Sequence, residues 1–195
     1  MVSERARTAA KTDEELVERV RGGETRLYAQ LVERYQDPVY SMAARFVRAG
    51  GDAEDIAQEA FLRAYRGLAE FKGEARFSTW LYRITWNLCA DWMRRHRKRG
   101  RAPLSMEEAR EVADGRVDLE GDMLLAEQRR AVRDALDRLD EKYRVVVTLL
   151  YFQKLSYEEI AAVLDVPMKT VETRLYRARR LLKESLRRAG MEEPT

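Results

Sequence analysis

An all-α fold of two small helical domains, joined by an acidic linker and ending in a helix-turn-helix, is what this sequence predicts, and three observations carry that prediction. Apolar residues recur at alternating three- and four-residue steps, the period of helices with one buried face. Four prolines and ten glycines among 195 residues are too few for a loop-rich β protein. Between residues 102 and 122 the pattern lapses: seven carboxylates stand against Arg110 and Arg116, and large apolar side chains are sparse. The predicted organisation is a tail (1–11), a first domain (12–98), a linker (99–122), a second domain (123–189) and a second tail (190–195).

Composition narrows the function classes. The net charge of +3 says little, so the distribution of charge carries the argument. Cys89 is the single cysteine, which excludes an intramolecular disulfide framework. With His96 as the single histidine, no zinc site of the usual nitrogen and sulfur type can be built within one chain. Residues 1–11 lack the apolar core of a secretory signal, and no apolar run approaches the ~18 residues that span a bilayer. The expectation is a soluble, cytoplasmic, non-catalytic protein with no cofactor, no metal and no direct membrane insertion.

Each element has its own signal. Thr12 and Glu15 form a capping box ahead of Leu16, Val17 and Val20, and Gly22-Gly23 ends that helix. A second helix carries Leu27, Leu31 and Tyr35 and is expected to stop at Asp37-Pro38. Pro38 suits the first turn of a third helix that runs to Gly50-Gly51. Asp52 then caps a fourth, through about Leu68. After a polar loop containing Gly73, Ser78 or Thr79 opens a long helix that ends in the cationic run 94–99. In the second domain, residues 145–150 are rich in β-branched side chains and would suit a strand. An isolated strand among helices has no pairing partner, so this segment is read as a buried helix.

The end of the second domain is the most specific local signal. Ser156 and Glu159 form another capping box, Ile160, Ala161 and Leu164 give an apolar stripe, and Asp165-Val166-Pro167 punctuates before the next helix. In that helix Met168, Val171, Leu175, Ala178 and Leu182 form one face, while Lys169, Thr173, Tyr176, Arg177 and Arg180 cluster opposite. A helix-turn-helix presents its recognition helix to a major groove in this way. A surface hairpin with solvated arginines is the plainer alternative.

Two constellations in the first domain carry further chemistry. On the helix from Asp52, one face collects Ala53, Ile56, Ala57, Ala60, Phe61, Ala64 and Leu68, and the other collects Asp55, Gln58, Glu59 and Leu62. A leucine amid acids suits a docking surface with a small apolar centre and a charged rim, although single exposed leucines are also ordinary surface. Outward-pointing carboxylates do not enclose an ion, which disfavours a metal-dependent nuclease. On the long helix, Leu81, Ile84, Leu88 and Trp92 form the apolar stripe. Tyr82 and Trp86 are expected to point away from it, among Arg83, Asn87, Arg94 and Arg97. Aromatic rings interleaved with cations are what single-stranded nucleic acid requires, for stacking and for phosphate. For Trp86, packing against a neighbouring helix is the competing reading. His96, within a run of cations, is expected to lose its proton easily and to touch backbone rather than act as a base.

In this order, the features resemble the extracytoplasmic-function group of bacterial RNA polymerase sigma factors, in the sigma-70 family. Asp52-Ala53-Glu54-Asp55-Ile56-Ala57-Gln58-Glu59-Ala60-Phe61-Leu62-Arg63-Ala64-Tyr65 is similar to that family's polymerase-docking helix. The segment from Phe71-Lys72-Gly73-Glu74-Ala75-Arg76-Phe77 through Trp86-Asn87 resembles the loop and helix that melt and read the −10 element. Residues 155–182 match the helix-turn-helix that reads the −35 element. The resemblance implies polymerase binding, to the β′ clamp helices and the β flap, with Asp55, Gln58, Glu59 and Leu62 as the docking residues. It implies −10 contacts by Lys72, Arg76, Phe77, Tyr82, Arg83, Trp86, Asn87, Arg94 and Arg97, with a flipped base held near Asn87. It implies −35 contacts by Lys169, Thr170, Glu172, Thr173, Arg174, Arg177 and Arg180. It also implies a linker running toward the active-site and RNA-exit channel, and an anti-sigma factor as a further partner. The chain departs from the family pattern at Glu172, where many relatives carry a cation; an acid there can accept from a cytosine amine. It departs again at Met168-Lys169, where relatives often have a small residue and glycine, and at Asp140, in place of a common proline.

Two other classes are weighed. An autonomous helix-turn-helix regulator would dimerise to read two half-sites, and no heptad face is present; the Asp55–Leu62 surface would also have no role. A nuclease or nucleotide-modifying enzyme would need a Walker-type loop, converging metal ligands or a histidine base other than His96.

Overall fold

Thr12 and Ser156 each sit in extended backbone and accept a hydrogen bond from the amide of the residue three ahead, while Glu15 and Glu159 reach back to the cap amides. Both capping boxes thus form where the sequence places them, one opening the helix Asp13–Arg21 and the other the helix Tyr157–Leu164. The computed structural model describes residues 11–47, 50–98 and 123–191. The expected linker, and the tails but for Lys11, Gly190 and Met191, lie outside the described residues. Among the described residues there is no strand.

The first domain comprises α1 (Asp13–Arg21), α2 (Tyr28–Ala44), α3 (Gly50–Gly67) and α4 (Phe77–Lys98). The expected break at Asp37-Pro38 does not occur: α2 is continuous and Pro38 lies inside it. Proline forgoes one helical hydrogen bond there. Packing offsets that loss, because Leu31, Val39, Met42 and Ala43 are all buried on one stripe that runs through the proline without a change of phase. Asp52 is likewise inside α3 rather than its cap, and α4 begins at Phe77 rather than at Ser78 or Thr79, with the Trp80 amide donating to the Arg76 carbonyl at 3.1 Å.

The second domain comprises α5 (Met123–Asp137), α6 (Glu141–Val147), a π-turn (Thr148–Phe152), α7 (Tyr157–Leu164) and α8 (Met168–Arg188). The β-branched run is helical, as expected, and Val145, Val146, Val147, Thr148 and Leu149 are buried. Asp140 stands at the N-cap of α6, where its carbonyl accepts from the Tyr143 and Arg144 amides without a side-chain bond. Asp165 ends α7 in left-handed backbone (φ 53°), the conformation that turns the chain sharply into α8. Met168 does not join the buried face of α8. It is the first residue after Pro167 and remains 44% exposed, whereas Val171, Leu175 and Ala178 are buried against α6 and α7.

The two domains meet. α4 packs along α7, and their buried apolar residues belong to one continuous cluster. On another edge of this contact, the Gln153 side-chain amide donates to the Pro38 carbonyl at 3.2 Å, and the Arg45 guanidinium lies 3.5 Å from the centroid of the Phe152 ring.

Candidate nucleic-acid interface

The α3 face reads from its helical period as the sequence predicts. Ala53, Ile56, Ala57, Ala60, Phe61, Ala64 and Leu68 are buried, so Asp55, Gln58 and Leu62 are left exposed and Glu59 partly so. Leu62 is 49% exposed. Glu59 accepts from Arg63 Nε at 2.7 Å, an i,i+4 pair along the same face. Beside this face, a groove of about 500 Å³ runs between α3 and α4, lined by Asp55, Ile56, Glu59, Trp92, Arg95 and His96 among others. The Trp92 indole N–H has no hydrogen-bond partner among the described residues. His96 stacks on Trp92 with centroids 3.7 Å apart, and its Nδ1 is 3.0 Å from the Trp92 carbonyl. The histidine touches backbone, as expected.

The long helix departs from its expected reading. Tyr82 is only 4% exposed and Phe77 is fully buried, so neither ring offers a stacking surface in this structure. Phe77 and Tyr82 both pack against Tyr35 of α2, with centroids 5.8 and 6.4 Å away. Burial, with the Asp13 charge second, pushes the Tyr82 phenol up to about 12. The physical reason is that α4 is covered on more than one side. Helices α1, α2, α3 and α7 all pack on α4. Thr79, Thr85 and Cys89 are buried with them. Trp86 is half-buried against Phe46, so the competing reading of that ring describes its packing.

What remains exposed on and before α4 is polar. Lys72, Arg76, Arg83, Asn87, Arg94 and Arg97 all face solvent in part or whole. Gly73, at φ 73°, makes the turn that sets Lys72 and Arg76 on the loop before α4; this is backbone that an L side chain adopts only with strain. Arg94 pairs with Asp91 one turn back at 3.0 Å.

On α8 the buried stripe leaves Lys169, Glu172, Thr173, Tyr176, Arg177 and Arg180 exposed, with Thr170 and Arg174 partly so. The Thr173 hydroxyl donates to the Lys169 carbonyl at 2.8 Å, which holds it along the helix. An Arg177 hydrogen bond keeps the Tyr143 phenol below the usual tyrosine range. Arg179 is set aside from this face, its Nε donating to the Tyr151 hydroxyl at 3.0 Å.

Sequence reasoning missed one set of relationships: carboxylates of the second domain reach cations of the first. Glu159 Oε1 lies 3.7 Å from the Arg76 guanidinium and 3.4 Å from the Thr79 hydroxyl. Arg83 lies 3.9 Å from Asp165, and Arg97 donates to Glu141 at 2.7 Å. Glu159 carried a signal for its capping role and none for this second one, because pairing between distant segments leaves no local periodicity.

Comparison with known proteins agrees with this two-part layout. The profile of Sigma-70 region 2 matches residues 31–99, and that of Sigma-70, region 4 matches residues 129–182. The chain is 41% identical over 177 residues to the ECF RNA polymerase sigma-E factor of Escherichia coli (strain K12), covering 86% of this chain and 91% of that one. Among solved structures it is similar to CnrH in complex with the cytosolic domain of CnrY, at 28% identity and a TM-score of 0.66, with 89% and 96% of the two chains covered. It is also similar to the sigma factor RpoE of Bartonella quintana in complex with the anti-sigma factor NepR. There the identity is 24%, the TM-score 0.66 and the coverage 82% and 96%, a likeness of fold.

Proposed function

Because the chain belongs to the extracytoplasmic-function sigma factors of the sigma-70 family, we propose that its three exposed faces divide the work of promoter recognition. The chain is an RNA polymerase sigma factor, which binds core polymerase and promoter DNA and directs transcription initiation. The residue roles are our reading. Asp55, Gln58, Glu59 and Leu62 dock on the polymerase, with the leucine as apolar centre and the acids as rim. Lys72, Arg76, Arg83, Asn87, Arg94 and Arg97 follow the melted −10 strand, with Trp86 as a partly covered platform. Phe77 and Tyr82 support that surface from within the core rather than contacting bases. Lys169, Thr170, Glu172, Thr173, Arg174, Arg177 and Arg180 meet the −35 duplex.

The observation that carries the reading is the separation of these faces. An acidic surface with an exposed leucine and two basic surfaces lie on different helices of one chain, the first two within the segment matched by region 2 and the third within that matched by region 4. An autonomous regulator has no use for the first of them. We read the chain as non-catalytic and place it in the cytoplasm, where core polymerase works. Among the described residues no helix is long and apolar enough to cross a membrane. Partners in our reading are the β′ clamp helices and β flap of core polymerase, promoter DNA and an anti-sigma factor, the last by analogy with the solved complex. We take the domains as 12–98, which holds α1 to α4, and 123–189, which holds α5 to α8.

Run-off transcription with purified core polymerase, on genomic fragments that include the promoter of the chain's own operon, tests this reading. Transcripts that start at discrete positions and require the chain are expected; core polymerase that gains no promoter selectivity would refute it.

A further inference from the structure

We propose that Met168, Glu172 and Tyr176 form a second reading edge on α8 that selects a pyrimidine stretch of the −35 duplex. The Glu172 carboxylate accepts from a cytosine amine, and the two flanking side chains meet thymine methyl groups. This rests on the reading above of α8 as the helix that enters the −35 major groove.

Side chains four residues apart form ridges along a helix, and the exposed part of α8 carries two of them. One is Lys169, Thr173 and Arg177. The other is Met168, Glu172 and Tyr176, continued at its far end by Arg180. Met168 is in phase with the buried stripe, so periodicity hides it from this second ridge. The structure leaves it 44% exposed and Tyr176 69% exposed, with the exposed Glu172 between them. The ridge starts at the first residue of α8, the end that a helix-turn-helix directs at base edges. Its successive members are about 6 Å apart along the axis, close to two base-pair steps of ~3.4 Å. They therefore meet different base pairs when the helix lies in the groove.

The two ridges differ in what they are free to do. The Thr173 hydroxyl donates to the Lys169 carbonyl at 2.8 Å, and Arg177 hydrogen-bonds the Tyr143 phenol. Among the described residues no ion pair or hydrogen bond engages the Glu172 carboxylate, although cations stand on the same surface. A carboxylate left free there is repelled by every phosphate, so it lowers affinity for all sequences alike. Its contribution is discrimination between sequences. An ionised carboxylate offers acceptors and no donor. In the major groove cytosine presents the N4 amine, a donor, whereas guanine presents O6 and N7, two acceptors that a carboxylate repels. Adenine sets its N6 donor beside the N7 acceptor. Glu172 therefore selects cytosine and excludes guanine at one position. The Met168 thioether and the Tyr176 ring are apolar bodies, and the apolar group on a base edge is the thymine methyl.

The test uses holoenzyme of the full chain and core polymerase on a promoter found by run-off transcription, with its −35 region randomised. Bound fragments are sequenced for the wild type and each variant. Glu172 is exposed, and alanine and glutamine are both good helix formers, so Glu172→Ala and Glu172→Gln keep α8 intact. The wild type should enrich cytosine over guanine at one position. Glu172→Ala should lower that ratio about fivefold or more and leave the other positions as they were. Glu172→Gln should move the preference there toward adenine, whose N6 and N7 match a side-chain amide. Met168→Ala with Tyr176→Ala should weaken a thymine preference at neighbouring positions, and an unaltered preference would strike both from the edge. A control combines Lys169→Ala, Thr173→Ala and Arg177→Ala. If the control changes the profile and Glu172→Ala does not, the second edge is overturned while α8 stands as the recognition helix. Tighter binding of all sequences alike by Glu172→Ala overturns it equally, since the acid then meets phosphate alone. Profiles unchanged in both would overturn the reading of α8 beneath it.

Discussion

The Trp86 ring of α4 stands edge-on to Phe46, with centroids 5.2 Å apart and planes at 76°. A ring held this way contributes to stability before it contributes to DNA. Trp86→Ala should cost about 2–3 kcal/mol in urea denaturation, combining lost burial with a lost aromatic pair, and Trp86→Phe about half of that or less. Neighbouring Asn87 is exposed, so Asn87→Ala should leave melting unchanged and reduce permanganate reactivity of the promoter bubble. Normal reactivity would remove Asn87 from the list of base contacts.

Reversing Asp55 and Glu59 to lysine should weaken core polymerase binding severalfold or more with an unchanged far-ultraviolet circular dichroism spectrum. The Glu59–Arg63 pair is lost as well, but an exposed i,i+4 pair contributes only about 0.3–0.5 kcal/mol. Undiminished co-purification with core polymerase would contradict the docking assignment.

Arg177→Ala should cost about 1–3 kcal/mol on the cognate −35 duplex and relax specificity there if the guanidinium reads a base. A purely phosphate contact would instead weaken all sequences alike and lower the salt slope by about one unit. The same substitution removes the hydrogen bond to Tyr143, so one tyrosine should titrate at higher pH in the ultraviolet spectrum of the variant. That shift checks the local geometry without any DNA.

Alkaline stability should depend on two buried groups of α4. Burial raises the Cys89 thiol from 9.0 to about 12 and, with Asp13, the Tyr82 phenol from 10.0 to about 12. Both pKa values are higher folded than unfolded, so their contribution is full below about pH 9 and is lost as pH rises toward 12. Each ionising group steepens the fall by up to about 1.4 kcal/mol per pH unit. Cys89→Ala should flatten the decline most just above pH 9, where most tyrosine of the unfolded chain is still protonated. Denaturation midpoints measured at pH 7, 9 and 10.5 decide this, and parallel declines in both proteins would count against it.

Local regularities decided the helical class, both capping boxes, the helix-turn-helix and the exposed acidic face of α3. Each is written in residues three or four positions apart, within reach of one helix's own geometry. The stripe of Leu31, Tyr35, Val39 and Met42 was just as local and held the answer to Pro38, because a face that stays in phase through a proline can keep one helix whole. What only the tertiary structure decided is how many sides of a helix are covered. α4 meets α1, α2, α3 and α7, so Tyr82 and Phe77 are core and Trp86 is half-covered, although one stripe was all that periodicity could show. The pairing of Glu141, Glu159 and Asp165 with Arg97, Arg76 and Arg83 belongs to the same class. These partners stand 44 to 83 residues apart, and at that separation only the packing of one domain on the other brings opposite charges together.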